Sequence, residues 1–221
     1  MIRRYIPNTL TCCNLLCGCA GIVCSFTHPE IPTAWFVWAA CVFDFFDGFS
    51  ARWLKVTSAI GKELDSLADV VSFGVLPSIV MYHLMTASTT NSWLPWMAFL
   101  IAALSALRLA ICNIEDTRTE TFKGLNTPSN TIFISALPLL GLDWIYTTPV
   151  LVVITFIFSA LLVSPFRFFA FKFKDFSWQH NRERFTFLAI SVLLLAWLHA
   201  AALPLIILIY ILLSLILRPK A

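Results

Sequence analysis

The chain is expected to fold as an all-α, polytopic transmembrane helix bundle of about eight spans, on three observations. Of its 221 residues 59% are hydrophobic and 12% charged, where soluble domains carry roughly a quarter charged residues. Apolar stretches long enough to cross roughly 30 Å of hydrocarbon recur from one end of the chain to the other. Lys and Arg are absent from every second connection between those stretches.

The stretches fall at 10–27, 34–54, 66–86, 93–112, 130–145, 148–165, 185–201 and 203–217. The fifth is interrupted by Pro138 and Asp143, and the last two are separated only by "HAAL", so six or seven spans also fit. So many apolar runs do not read as one cleavable signal peptide, and "MIRRYIPNTLTCCN" has no small-residue cleavage pattern, so the whole chain is expected to be retained. The basic residues sit before the first span (Arg3, Arg4), in the second loop (Arg52, Lys55, Lys62), in the fourth (Arg118, Lys123), in the sixth (Arg167, Lys172, Lys174, Arg182, Arg184), in the tail (Arg218, Lys220) and, as Arg108, near the same end of span four. The odd-numbered loops "THPEIP", "TASTTNS", "LDWIYTT" and "HAAL" have none. The positive-inside rule then puts both termini and all even-numbered loops in the cytoplasm. Trp35, Trp38, Trp93, Trp96, Trp144 and Tyr146, near span ends, suit the aromatic belts of a bilayer.

The organisation that follows is a six-span core at 1–165, a basic and aromatic segment at 166–184, and a C-terminal helical hairpin with tail at 185–221. The middle segment, "FRFFAFKFKDFSWQHNRER", reads as a strip lying in the membrane interface rather than a nucleic-acid surface. A net charge of +3 also gives no reason to expect nucleic acid. The seven cysteines lack the spacing of a zinc site and read as small apolar packing residues. His28, His83, His180 and His199 are scattered and receive no role.

Charges inside spans cost at least a few kcal/mol each on insertion scales, yet "FDFFDGFSARWLKVTSAIGKELDSLADVVSFG" puts Asp44 and Asp47 in the cytoplasmic half of span two and Asp65 and Asp69 at the start of span three. At 100° per residue Asp44, Asp47, Gly48, Ala51 and Arg52 form one stripe, and Asp65, Ala68, Asp69 and Ser72 another. A short connection makes the two helices antiparallel and brings the four carboxylates together, where only a cation offsets their repulsion. All-oxygen ligation suits Mg²⁺ or Mn²⁺, as one ion or two, with positions left open for phosphate. Gly48, Ala51 and Gly61 clear that face of side-chain bulk, and Arg52 offers a fork for diphosphate oxygens. Intramembrane carboxylates also mark cation transporters, but transport does not require the Gly-Ala-Arg spacing.

The run Asp44, Asp47-Gly48, Ala51-Arg52, Gly61, Asp65, Asp69 resembles the complete signature of the CDP-alcohol phosphotransferase family, with no position departing. The resemblance implies a six-helix core with two helices added at the C-terminus, a homodimer, and a metal centre gripping the diphosphate of a CDP-linked lipid. It assigns Asp44, Asp47 and Asp65 as principal metal ligands and Asp69 as both ligand and catalytic base. It implies that Gly48, Ala51, Gly61 and Arg52 bound the CDP pocket, with Asn8 and Thr11 of "IPNTLT" beside it, although the latter two also suit a cap of span one. The segments "IPNTLTCCNLLCG", "GKELDSLADVVSFGVLPSIVMY" and "LRLAICNIEDTRTETFKGLNTPSN" resemble the phosphatidylserine synthase branch, and with it a bacterial cytoplasmic membrane, CDP-diacylglycerol as donor and L-serine as acceptor. A serine carboxylate suits Arg108, and amide contacts suit Asn113, Asn126 or Asn130. Snorkelling is the alternative for Arg108, and a turn with a helix N-cap is the alternative for "GLNTPSN". A sister enzyme using glycerol 3-phosphate or an inositol phosphate would need a basic pocket, for which Arg118, Lys123 and Arg167 are candidates.

Overall fold

The structure, a computed structural model, describes residues 5–56, 58–114, 121–169 and 178–217. Arg118 and residues 170–177 of the 166–184 segment therefore lie outside the described residues. Five helical stretches are long and apolar enough to cross a membrane: Tyr5–Thr27, Ala34–Trp53, Ala59–Ser88, Leu94–Ile114 and Arg184–Ile216. The protein is an integral membrane protein with the polytopic helical architecture expected.

Helix α1 (Tyr5–Thr27) and α2 (Ala34–Trp53) form an antiparallel pair. Helix α3 (Ala59–Asp69) begins seven residues before the expected start of span three. Its start is set by Ser58, whose hydroxyl accepts the Gly61 N–H at 3.0 Å as an N-cap. A π-helical turn, Val70–Val75, joins α3 to α4 (Leu76–Ser88). Pro77 explains it: without an N–H, Pro77 cannot bond the Phe73 carbonyl four residues back. That carbonyl instead accepts the Thr131 hydroxyl at 2.6 Å. Helix α5 (Leu100–Ile114) follows a 3₁₀ turn at Leu94–Phe99.

The expected fifth span is cut short. Helix α6 (Thr127–Ala136) gives way to a 3₁₀ turn at Leu137–Leu139, carrying Pro138, and the chain reverses at Gly141, whose φ is +61°. Ten helical residues span about 15 Å, half the hydrocarbon thickness. Helix α7 (Thr148–Leu162) is also short. Helices α8 (Trp178–Leu198) and α9 (Ala202–Leu217) are one apolar stretch by composition but a hairpin in space. His199, at φ +53°, turns the chain, and the Phe187 and Tyr210 rings lie 6.1 Å apart across the pair.

Contacts between elements separate two ends of the bundle. At the basic end Lys62 Nζ donates to the Asn113 carbonyl at 2.7 Å, and a two-stranded ribbon pairs β1 (Thr121–Lys123) with β2 (Arg167–Phe169) in antiparallel register. This ribbon was not expected of an all-α chain. It is sealed by Gly124, whose φ of +74° and approach to the Leu162 carbonyl leave no room for a Cβ. At the opposite end the Ser88 and Thr148 hydroxyls meet at 2.9 Å. The buried core lies among α4, α5, α6, α7 and α9, where Phe133 stacks on Phe158 with ring centres 3.9 Å apart and Met81, Ile101, Leu125 and Leu151 are fully enclosed.

Candidate active site at the basic end

The α1, α2 and α3 helices meet closely because small residues line their contacts. Gly18 on α1 faces Ser72, whose Cα would stand 2.9 Å from any Cβ placed there. Ser72 donates its hydroxyl to the Asn14 carbonyl at 2.9 Å, and Asn14 Nδ2 donates to Asp69 Oδ1 at 3.1 Å. Nearer the basic end Thr11 Oγ1 donates to Asp47 Oδ2 at 2.6 Å. One face of α1 thus orients a carboxylate on each of the other two helices.

The antiparallel pairing brings together what the stripes promised. Asp44, Asp47 and Asp65 each offer a carboxylate oxygen, and these oxygens all lie within 4.8 Å of one another. Asp69 stands one helical turn beyond Asp65, beside Asp44. Asp47 and Asp69 are buried, at 6% and 7% exposed. Asp65 Oδ1 is buried with no hydrogen-bond partner. A buried carboxylate oxygen without a donor, among like charges, calls for a cation. The residues therefore fit a hard divalent ion, whose ligands would be oxygens of Asp44, Asp47 and Asp65.

A cavity of about 490 Å³ opens against this cluster. Its walls include Asp47 and Asp65 together with Asn8, Thr11, Gly48, Ala51 and Gly61, as expected, and also Pro7, Val56, Ser58 and Lys62. Asn8 lies inside α1 rather than at its cap, because the helix already begins at Tyr5. Arg52 is outside the lining, exposed, with Nε donating to its own helix at the Gly48 carbonyl at 2.9 Å.

The four candidate acceptor residues part company. Arg108 is buried at 9% exposed and so does not snorkel; its Nη1 donates to Thr127 Oγ1 at 3.4 Å, and its Nε has no partner. It makes no ion-pair contact with a carboxylate among the described residues, although Asp69 is a charge neighbour. Asn130, one turn along α6 from Thr127, is fully enclosed with both amide atoms unpartnered. Asn113 stands elsewhere: its Nδ2 donates to Ser66 Oγ at 2.8 Å and its carbonyl takes Lys62, tying α3 to α5. Asn126 is the N-cap of α6, accepting the Ser129 N–H at 3.2 Å. Asn14, Thr127 and Thr131 were not singled out from sequence. A polar residue in mid-span, as Asn14 is, was the available signal.

Fold and site together define a polytopic helical membrane protein with a buried carboxylate cluster beside a ligand-sized cavity. The CDP-alcohol phosphatidyltransferase family model matches residues 4–144, and the chain belongs to that family. It is 35% identical over 173 residues to a CDP-diacylglycerol–serine O-phosphatidyltransferase of Bacillus subtilis, an alignment covering 76% of this chain and 92% of that protein. Proteins of the same name from Mycobacterium leprae and Methanocaldococcus jannaschii are 31% and 30% identical, over 64% and 60% of this chain. The chain spans about half the length of the mycobacterial relative, 49%, and 61% of the Methanocaldococcus one.

Proposed function

We propose that this chain is a phosphatidylserine synthase, transferring the phosphatidyl group of CDP-diacylglycerol to the hydroxyl of L-serine and releasing CMP. The observation that carries this reading is a carboxylate cluster open to the 490 Å³ cavity, together with Arg108, a buried guanidinium with no ion-pair partner among the described residues and a charge neighbour of Asp69. The cavity suits a nucleotide diphosphate, and Arg108 suits a small carboxylate-bearing acceptor. The names of the Bacillus and Methanocaldococcus relatives point to the same donor and acceptor.

In this reading Asp44, Asp47 and Asp65 hold Mg²⁺ or Mn²⁺, as one ion or two, with Asp69 completing the set from its place beside Asp44. Bound there, the metal supplies neutralisation of the diphosphate and of the departing CMP. Asn8, Thr11, Gly48, Ala51 and Gly61 receive the CDP head, and Arg52 closes over the phosphates from the rim. Arg108 takes the serine carboxylate and Asn130 its remaining polar groups. Asp69, oriented by Asn14, accepts the proton of the serine hydroxyl as its oxygen attacks the phosphorus bearing the diacylglycerol. The bond from that phosphorus to the CMP oxygen breaks, CMP leaves, and Asp69 gives up its proton to solvent. Phosphatidylserine remains in the bilayer. The basic end faces the cytoplasm of a bacterium by the positive-inside rule, both termini lie on that side, and the protein works as a homodimer like other members of its family.

The test is acceptor competition in detergent with labelled CDP-diacylglycerol. CMP release that requires L-serine, is lost on EDTA and returns with Mg²⁺ or Mn²⁺ is expected. Release that depends on glycerol 3-phosphate or an inositol phosphate instead overturns the acceptor.

A further inference from the structure

The π-helical turn Val70–Val75 follows Asp69 directly, and such turns inside α-helices are frequent at functional sites. Its wider winding shows in the bond from the Leu76 N–H to the Val71 carbonyl, five residues back. Three consecutive residues of the turn each engage a different helix. Ser72 donates to the Asn14 carbonyl of α1 at 2.9 Å. The Phe73 carbonyl, left without its helical donor by Pro77, takes the Thr131 hydroxyl of α6 at 2.6 Å. Gly74 lies against α5, where an added Cβ would stand 3.3 Å from Ser105 Cβ and 3.6 Å from Ala102 Cα. The helix that carries Asp69 therefore meets the two helices that carry Arg108 and Asn130 at this turn.

The ties are unequal. The Asp69 side is held to α1 twice, by Asn14 Nδ2 on Asp69 Oδ1 at 3.1 Å and by Ser72. Among the described residues α6 is held to the turn by one hydrogen bond, that of Thr131. Thr131 is fully enclosed, and its hydroxyl has one proton, which the Phe73 carbonyl at 2.6 Å takes ahead of the Thr127 carbonyl at 2.9 Å. Thr131 follows Asn130 in the chain and stands one helical turn beyond Thr127, whose hydroxyl receives Arg108 Nη1 at 3.4 Å. The place of this polar group relative to Asp69 thus depends on the Thr131 link.

We propose that Thr131 is a positioning residue for the phosphatidyl transfer: through the Phe73 carbonyl that the π-turn frees, it fixes the register of α5 and α6 against the helix that carries Asp69. This rests on the reading of Asp69 as the base and of Arg108 and Asn130 as acceptor contacts. Thr131 acts through the backbone and not on substrate. Its hydrogen bond keeps the acceptor hydroxyl within reach of Asp69, and a misplacement of about 1 Å in such an arrangement costs on the order of 100-fold in rate.

The test is Thr131→Val, which keeps the shape and removes the donor, read as the rate of CMP formation in a single turnover at saturating L-serine and CDP-diacylglycerol. A fall of about 10- to 100-fold is expected. KM for L-serine, KM for CDP-diacylglycerol and the half-activating Mg²⁺ concentration should hold, because Arg108 and Asn130 keep their places relative to each other and Asn14 still orients Asp69. Thr131→Ser, which returns the hydroxyl, should restore the rate. A lowered melting temperature with an unchanged rate in the folded protein overturns the proposal and assigns Thr131 to packing. A fall matched by a rise in half-activating Mg²⁺ or in lipid KM also overturns it, since the link then serves the metal or the donor, and so does a fall that Thr131→Ser does not reverse. If the unaltered protein uses serine and Thr131→Val leaves the rate unchanged, only this inference falls. If the unaltered protein does not use serine, the proposed function falls and this inference with it. Should Thr131→Val fail to fold, Thr131→Cys, whose thiol is a weaker donor in the same space, is measured in its place against the same expectations.

Discussion

Thr11 offers the sharpest perturbation of the site, because the structure gives it a second task beside the one the resemblance implied. Resemblance put it beside the nucleotide; the structure has its hydroxyl 2.6 Å from Asp47 Oδ2, with a second, longer approach of 3.0 Å to the Pro7 carbonyl. A hydroxyl has one proton, and the carboxylate at the shorter distance takes it. Thr11→Val keeps the shape and removes the donor. A hydrogen bond to a charged group contributes about 1.5–3 kcal/mol, equivalent to about 10- to 150-fold in an equilibrium. Because Asp47 belongs to the carboxylate triad, the loss is expected in metal affinity, where outer ligand contacts typically carry about 10–100-fold. The assay is CMP release against Mg²⁺ concentration at saturating CDP-diacylglycerol, with melting temperature as control. The half-activating Mg²⁺ concentration should rise by about that factor, the rate should recover at saturating metal, and Thr11→Ser should restore the original curve. A folded Thr11→Val protein with unchanged metal dependence refutes the reasoning, and a raised lipid KM alone returns Thr11 to the nucleotide.

Three further outcomes follow from the same geometry. Gly48→Ala introduces a methyl that meets nothing within 4 Å yet lies on the cavity wall, so melting temperature should hold while KM for CDP-diacylglycerol rises several-fold, read by initial rates over a lipid titration. Gly18→Ala drives a methyl against Ser72, whose backbone cannot yield cheaply; a loss of about 1–3 kcal/mol in stability is expected, read by thermal unfolding in detergent. Asp69→Asn should cut CMP release by about 10²–10⁴-fold while CDP-diacylglycerol still binds, and near-normal turnover would remove Asp69 as the base.

Intramembrane charge announces itself in sequence because lipid tolerates it so poorly. That is why the two helical stripes and the cavity wall of Gly48, Ala51 and Gly61 could be read from one 26-residue run, residues 44–69. The fifth span, interrupted in sequence by Pro138 and Asp143, is cut short where Pro138 and the turn at Gly141 each end a helix locally. The early start of α3 was not expected: "SAIGKELD" is polar, but a Ser58 cap starts the helix there.

The sequence by itself determined the membrane class, the alternation of charged and uncharged loops and the carboxylates that gather on two neighbouring helices, since all three follow from periodicity and the cost of charge in hydrocarbon. Only the tertiary structure decided which polar residues orient them. Asn14 on Asp69, Thr11 on Asp47, and Thr131 on the Phe73 carbonyl that Pro77 leaves without its helical donor are pairings 36 to 58 residues apart in the chain. It also separated Asn113, bonded to Ser66, from Arg108, bonded to Thr127. Hydrogen bonds depend on direction over a few ångströms, and that information exists only once the helices have packed.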